Sequence, residues 1–280
     1  MQKALKKYFA LFALPGLICF AIAFFIPMIM GIVLSFCKFT DVTNATWAGL
    51  NNYKLMFMNA EFINALWFTV KFTIMSVITI NIISFILALL LTQDIPGTNT
   101  YRTILFMPNL IGGIVLGWIW QVILNGYLLK YQVTLVTDPR YGFWGLVVLM
   151  NWQNVGYMMI IYIAGIINIP KELIEASQID GANRRTMLFH VTLPSIMPSI
   201  TICSFLTLTN GFKLFDQNLA LTNGGPGKST EMVALNIFNT FYGRVGFEGV
   251  GQAKAVIFTI IVATLALTQL HLTRRKEVEA

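Results

Sequence analysis

Two groups of polar residues sit inside long apolar runs of this chain, and their types limit what they can do. The first is Asn151-Trp152-Gln153-Asn154 followed by Gly156-Tyr157; the second is Ser204, Thr207, Thr209, Asn210 and Gly211 beside Phe212. Amides and hydroxyls donate and accept hydrogen bonds, and aromatic faces stack on ring faces, which together is what a polyol offers a binding site. An unpaired amide in hydrocarbon costs several kcal/mol, so each of these groups must face a partner helix or a wet cavity. The candidates for a solute path are Asn151, Asn154, Tyr157, Ser204, Thr207, Asn210, Gly211 and Phe212. Hydrogen bonding between helices accounts equally well for any one of them. Catalytic chemistry finds no support: the chain carries no His-Glu-x-x-His, no Ser/His/Asp set and no paired carboxylates in its apolar runs. Gly227-Lys228-Ser229 resembles the end of a phosphate-binding loop, but Thr222 stands where that loop needs its first glycine, so turn chemistry is the better reading. The two histidines, His190 and His271, lie near ends of apolar runs, where an interfacial role is expected.

The elements that must position these groups follow from composition. Hydrophobic residues make up 56% of the chain and charged residues 11%, with mean hydropathy +0.71. That excludes a water-soluble domain and predicts an all-α integral membrane protein. A crossing needs roughly 20 apolar residues to cover a hydrocarbon core about 30 Å thick. Six segments qualify, at about 9–36, 64–92, 103–125, 142–169, 194–215 and 252–273, within one transmembrane domain covering 1–280. The first follows Lys3, Lys6 and Lys7 but is too long for a signal-peptide core, so it is read as a retained anchor. Lys71 in the second would snorkel from a span beginning near Phe72. The net charge of +7 does not form a patch, because the basic residues stand at the ends of apolar runs; nucleic acid is therefore not an expected partner and the lipid bilayer is. With both termini inside, the short inner segments hold Lys3, Lys6, Lys7, Arg102, Lys171, Arg184, Arg185, Arg274, Arg275 and Lys276. The longer outer ones hold Lys38, Lys54, Lys130, Arg140, Lys213, Lys228, Arg244 and Lys254, so basic density favours cytoplasmic termini. Cys19, Cys37 and Cys203 are far apart without metal spacing, and packing is the expected role of Cys19 and Cys203.

Between the fourth and fifth spans lies a charged inner segment, 171–193. Leu173, Ile174 and Ala176 to Ile179 have helical spacing, Asp180-Gly181 breaks it, and Ala182 to Val191 resumes it. Glycine permits the positive φ of such a turn, and Asp180 can bond locally at the break or cap the second helix. Such a helix–turn–helix suits a groove on a soluble partner, although a plain loop between spans has the same composition. Glu175-Ala176-Ser177, Asp180-Gly181-Ala182, Leu193-Pro194 and Pro198 resemble the EAA loop of ABC-importer permeases, with serine replacing the third alanine.

Further elements resemble the carbohydrate, maltose-type branch of that family. They are Trp47-Ala48-Gly49-Leu50-Asn51-Asn52-Tyr53, Tyr101-Arg102, Phe106-Met107-Pro108-Asn109, Gly117-Trp118-Ile119-Trp120 and Leu221-Thr222-Asn223-Gly224-Gly225-Pro226-Gly227, with Ser229-Thr230-Glu231 after it. The resemblance runs from about Pro15 onward. It implies a coupling helix in which Glu175, Ala176, Ser177, Asp180, Gly181 and Ala182 meet an ATPase subunit, with Glu175 as ion-pair candidate and the small residues allowing close approach. It implies as partners a second homologous permease, two nucleotide-binding ATPase subunits that hold ATP and Mg, and an extracellular solute-binding protein, with no cofactor held by this chain. It also implies a substrate pocket in the spans flanking the loop, near Tyr157, Ser204 and Gly211. An ion-coupled secondary transporter is the alternative, but its relays require acidic or basic groups within spans, and the six span cores are nearly free of carboxylates, with only Asp216 at an outer end.

Overall fold

The computed structural model describes residues 13–93 and 95–274. The first residues of the predicted first span, and Lys3, Lys6, Lys7, Arg275 and Lys276, lie outside the described residues. The protein is helical apart from a hairpin of two-residue strands, β1 (Cys37–Lys38) and β2 (Thr46–Trp47). In chain order the helices are α1 (Ala13–Leu34), α2 (Asn51–Phe57), α3 (Ala60–Leu91), α4 (Thr98–Phe106), α5 (Gly113–Leu128) and α6 (Pro139–Ile167). They continue with α7 (Lys171–Ile179), α8 (Arg184–Ser195), α9 (Met197–Phe212), α10 (Asp216–Leu221), α11 (Val233–Gly243) and α12 (Glu248–Arg274). Among the described residues α1, α3, α6, α12 and the helical run Gly113–Tyr131 that begins as α5 are long and apolar enough to cross a membrane, and α8 with α9, bent by 69°, passes the same test as a pair.

The chain divides into two compact units. One comprises the chain to Ala60 with Ile237–Thr259; the other comprises Glu61–Asn236 with the chain from Ile260. In the first, the side chain of Asn52 donates to the Ser35 (2.9 Å) and Cys37 (2.8 Å) carbonyls, fixing the turn out of α1. The rings of Trp47 and Tyr53 both lie against Phe36. Lys254, read from the sequence as an outer residue, is instead buried inside α12, where its ammonium donates to Thr240 Oγ1 at 2.8 Å. Cys19 is exposed on α1 rather than packed, which on an apolar span is a lipid-facing position.

The second unit is built on α3 and α6. On α3 the buried positions Ala65, Thr69, Phe72, Thr73, Ser76, Ile80, Ser84 and Ala88 recur every three or four residues and form one stripe. Ile74, Ile78, Ile82, Ile86 and Leu90 form the opposite, exposed stripe. Small and hydroxyl residues on the buried stripe let neighbouring backbones approach closely, as packing between helices in lipid requires, and isoleucines face the bilayer. Lys71 is exposed within α3. α6 begins at an Asp138 cap whose carboxylate accepts from the Arg140 N–H at 2.7 Å, with Pro139 in the first turn. It is buried on several faces, with Leu146, Leu149, Met158 and Met159 all inaccessible.

Two predicted spans are not single helices. The run 103–125 breaks between α4 and α5, because Pro108 cannot donate to a helical ladder and Ile111 and Gly112 adopt extended backbone. The second departure is the α8–α9 bend at Ile196, where Pro194 and Pro198 flank the break and a π-turn over Leu188–Thr192 precedes it. Beyond α9, the segment 216–250 contains α10 and α11.

Candidate functional site

Within the second unit the polar residues of the fourth and fifth spans converge on a cavity of about 370 Å³. Gln153 and Asn154 enter it from α6, Asn210 and Lys213 from the end of α9, and Asp216 and Gln217 from the start of α10. Met150, Leu214 and Phe215 complete the wall. Its size suits a small solute. Asn154 also donates to the Met150 carbonyl at 3.1 Å, a bond along its own helix that leaves its carboxamide oxygen available to the cavity.

The other candidates are placed differently. Asn151 lines a separate, mostly apolar groove with Trp152, Leu105 and Ile111. Its amide donates to Thr79 Oγ1 (2.9 Å) and the Val147 carbonyl (2.8 Å), while its oxygen is buried without a partner. Thr207 serves as glue between helices: it accepts from Asn81 Nδ2 (2.9 Å), and Asn81 Oδ1 accepts from the Tyr162 hydroxyl (2.7 Å). Tyr157 is half-buried with its ring 6.3 Å from that of Phe106, next to Gly156. Gly156 is a glycine by necessity, because a Cβ there would overlap the Leu105 carbonyl where α4 lies on α6. Ser204 is half-buried, Gly211 packs against Thr73 of α3, and Phe212 is buried. Of the eight path candidates, then, the cavity lining holds Asn154 and Asn210.

The solute-path candidates left out Asn81, Gln153, Lys213, Asp216 and Gln217, although Gln153 stands in the first polar group. Asn81 was detectable in principle, because it is an amide inside an apolar run. Gln217 was not: it stands in an outer segment with nothing in its neighbours to mark it.

The second candidate site is the surface of α7. Among Glu175, Ala176, Ser177, Asp180, Gly181 and Ala182, Ser177 is buried and donates to the Ile174 carbonyl at 2.7 Å. Glu175, Ala176, Asp180 and Gly181 are exposed, and Ala182 is half-buried. The helix ends in a Schellman motif. Gly181 has φ +75°, its N–H donates to Gln178 (3.1 Å), and the Ala182 N–H reaches back to Ser177 (2.9 Å). The next helix is capped by Asn183, whose Oδ1 accepts from the Thr186 N–H at 2.9 Å, and not by Asp180. Glu175 and Ile179 share a helix face four residues apart, and Ile179 is 86% exposed.

The family model described as the binding-protein-dependent transport system inner membrane component matches residues 97–278. The chain is 42% identical to a probable starch degradation products transport system permease protein of Thermoanaerobacterium thermosulfurigenes, over 97% of this chain and 96% of the relative. It is 30% identical to a multiple sugar-binding transport system permease protein of Streptococcus mutans, over 99% of both. A chain from the crystal structure of a bacterial ABC transporter involved in the import of the acidic polysaccharide alginate superposes with a TM-score of 0.82 over 98% of each chain. At 22% identity that likeness is one of fold.

Proposed function

The chain belongs to the family of binding-protein-dependent transport system inner membrane components, and on that premise we propose that it is the permease subunit of an ATP-driven importer that moves a sugar or oligosaccharide into the cell. It is a multi-pass protein of the cell membrane. The observation that carries the proposal is α7: an exposed nine-residue helix between two crossings, ended by the Gly181 turn and presenting Glu175 and Ile179 outward. In this reading α7 seats in a cleft of a nucleotide-binding subunit. ATP and Mg bind there and not on this chain, and a second homologous permease with its own ATPase completes the complex. Closure of the ATPase pair draws the coupling helices together and rocks the spans between outward and inward access. An extracellular binding protein delivers the solute. The sugar assignment draws on the names of the relatives and on the cavity, whose amides and hydroxyl-compatible lining suit a polyol.

The test is co-purification of the chain with its permease and ATPase partners, wild type beside Glu175→Ala and Gly181→Pro. The wild type should retain an ATPase whose activity rises with loaded binding protein. Glu175→Ala should weaken that retention, and Gly181→Pro, which cannot adopt φ +75°, should abolish it. A wild-type chain that purifies without any ATPase and transports on an ion gradient alone would refute the proposal in favour of the secondary-transporter alternative.

A further inference from the structure

The carboxamide of Gln153 joins three segments. Its Nε2 donates to the Ile111 carbonyl (3.3 Å) at the break before α5, and its Oε1 accepts from Gln217 Nε2 (2.7 Å) in the first turn of α10. α10 is itself seated on α5 by a seam without side chains. A Cβ at Gly113 would stand 2.8 Å from Asp216 Cβ, and one at Gly117 would stand 2.7 Å from Ala220 Cβ. Gln121 Nε2 of α5 closes the far end by donating to the Leu221 carbonyl at 3.1 Å. α5 and α10 are therefore packed as one body, tethered to the 230–232 segment through Asn218, and both bonds of Gln153 cross from α6 to that body. At the other end of α10, Leu221 lies against Gly145 of α6 by apolar contact. Apolar packing tolerates a small rotation, whereas a neutral amide pair is either made or exchanged for water at little net cost.

We propose that Gln153 is a positioning residue: its pair with Gln217 is the releasable fastening by which the α5–α10 body closes the outer rim of the polar cavity, with the Leu221–Gly145 contact as the pivot. The inference rests on the transport reading, which requires an outer gate, and adds to it the side chains that hold the gate shut.

The experiment places a reporter thiol at the rim, Lys213→Cys, in the full chain assembled with its partners in right-side-out vesicles. Labelling by a membrane-impermeant maleimide is corrected for a chain lacking that substitution. Gln217→Leu should speed labelling about fivefold, the equivalent of one net hydrogen bond, and Gln153→Leu, which loses both of its bonds to that body, by at least as much. The double variant should be no faster than Gln153→Leu alone, because the same bond is lost once. Unchanged rates in both single variants, or effects that multiply in the double, would overturn the proposal; a purely structural role would lower thermal stability without the shared labelling effect. Should Gln153→Leu fail to assemble, Gln217→Leu, half-buried at the rim, decides the matter alone. A thiol reached from the cytoplasmic side and not from outside would instead contradict the sidedness of the transport reading itself.

Discussion

Two short helices, α10 at one end of the spans and α7 at the other, solve the same problem in opposite ways. α10 has six residues and α7 nine, too few in either case to be stable alone. α10 is finished by its own chain. It lies on glycines of α5, and Asn218, fully buried, donates to Thr222 Oγ1 (3.1 Å) and the Thr230 carbonyl (2.8 Å) while accepting from the Met232 N–H (2.9 Å). α7 is anchored by Ser177 and its C-terminal motif and leaves Glu175, Ala176 and Ile179 exposed. The outer helix is held mainly by its own chain, whereas the inner one keeps a carboxylate and an isoleucine exposed, which is the surface the proposed coupling role needs.

That contrast can be broken by measurement, in order of expected loss of thermal stability. Asn218→Ala strands the buried Met232 N–H and Thr230 carbonyl and should cost about 3 kcal/mol, read as a lowered unfolding temperature in detergent. Gly117→Val drives a branched side chain into Ala220 and the Gln217 backbone, and should cost about 2 kcal/mol by overpacking. Lys228→Met removes an ion pair with Glu61 at 2.9 Å whose side chains are each 40% exposed, and should cost less than about 1 kcal/mol. Glu175→Ala should leave the unfolding temperature of the isolated chain unchanged while weakening retention of the ATPase. If Glu175→Ala destabilises the chain as much as Asn218→Ala, α7 is a structural element and the distinction between the two helices falls.

Much of this was legible in the order of residues. Apolar runs pointed to an all-helical membrane protein, because hydrocarbon admits only helices long enough to span it. Glu175 to Ala182 was legible because a helix, a glycine turn and a second helix are local events set by neighbours in the chain. The break at Ile111 was hidden: the run from 103 to 125 is apolar apart from Thr103, Asn109, Gln121 and Asn125, and Pro108 ends a helix without saying that the next begins at Gly113. The cavity was only half legible. Asn154 and Asn210 stood out as amides among apolar neighbours, but Asn151 and Thr207, marked by the same signal, bond to other helices.

The sequence by itself determined that the chain crosses a membrane, where a helix, a glycine turn and a second helix stand between two crossings, and which polar groups it carries into the bilayer, since each of these depends on residue type and spacing alone. Which amide faces a cavity and which a neighbouring helix was decided only in the tertiary structure. A polar side chain in a span must find some partner, and whether that partner is a helix or a solute depends on how residues as far apart as Gln153 and Gln217 come to meet.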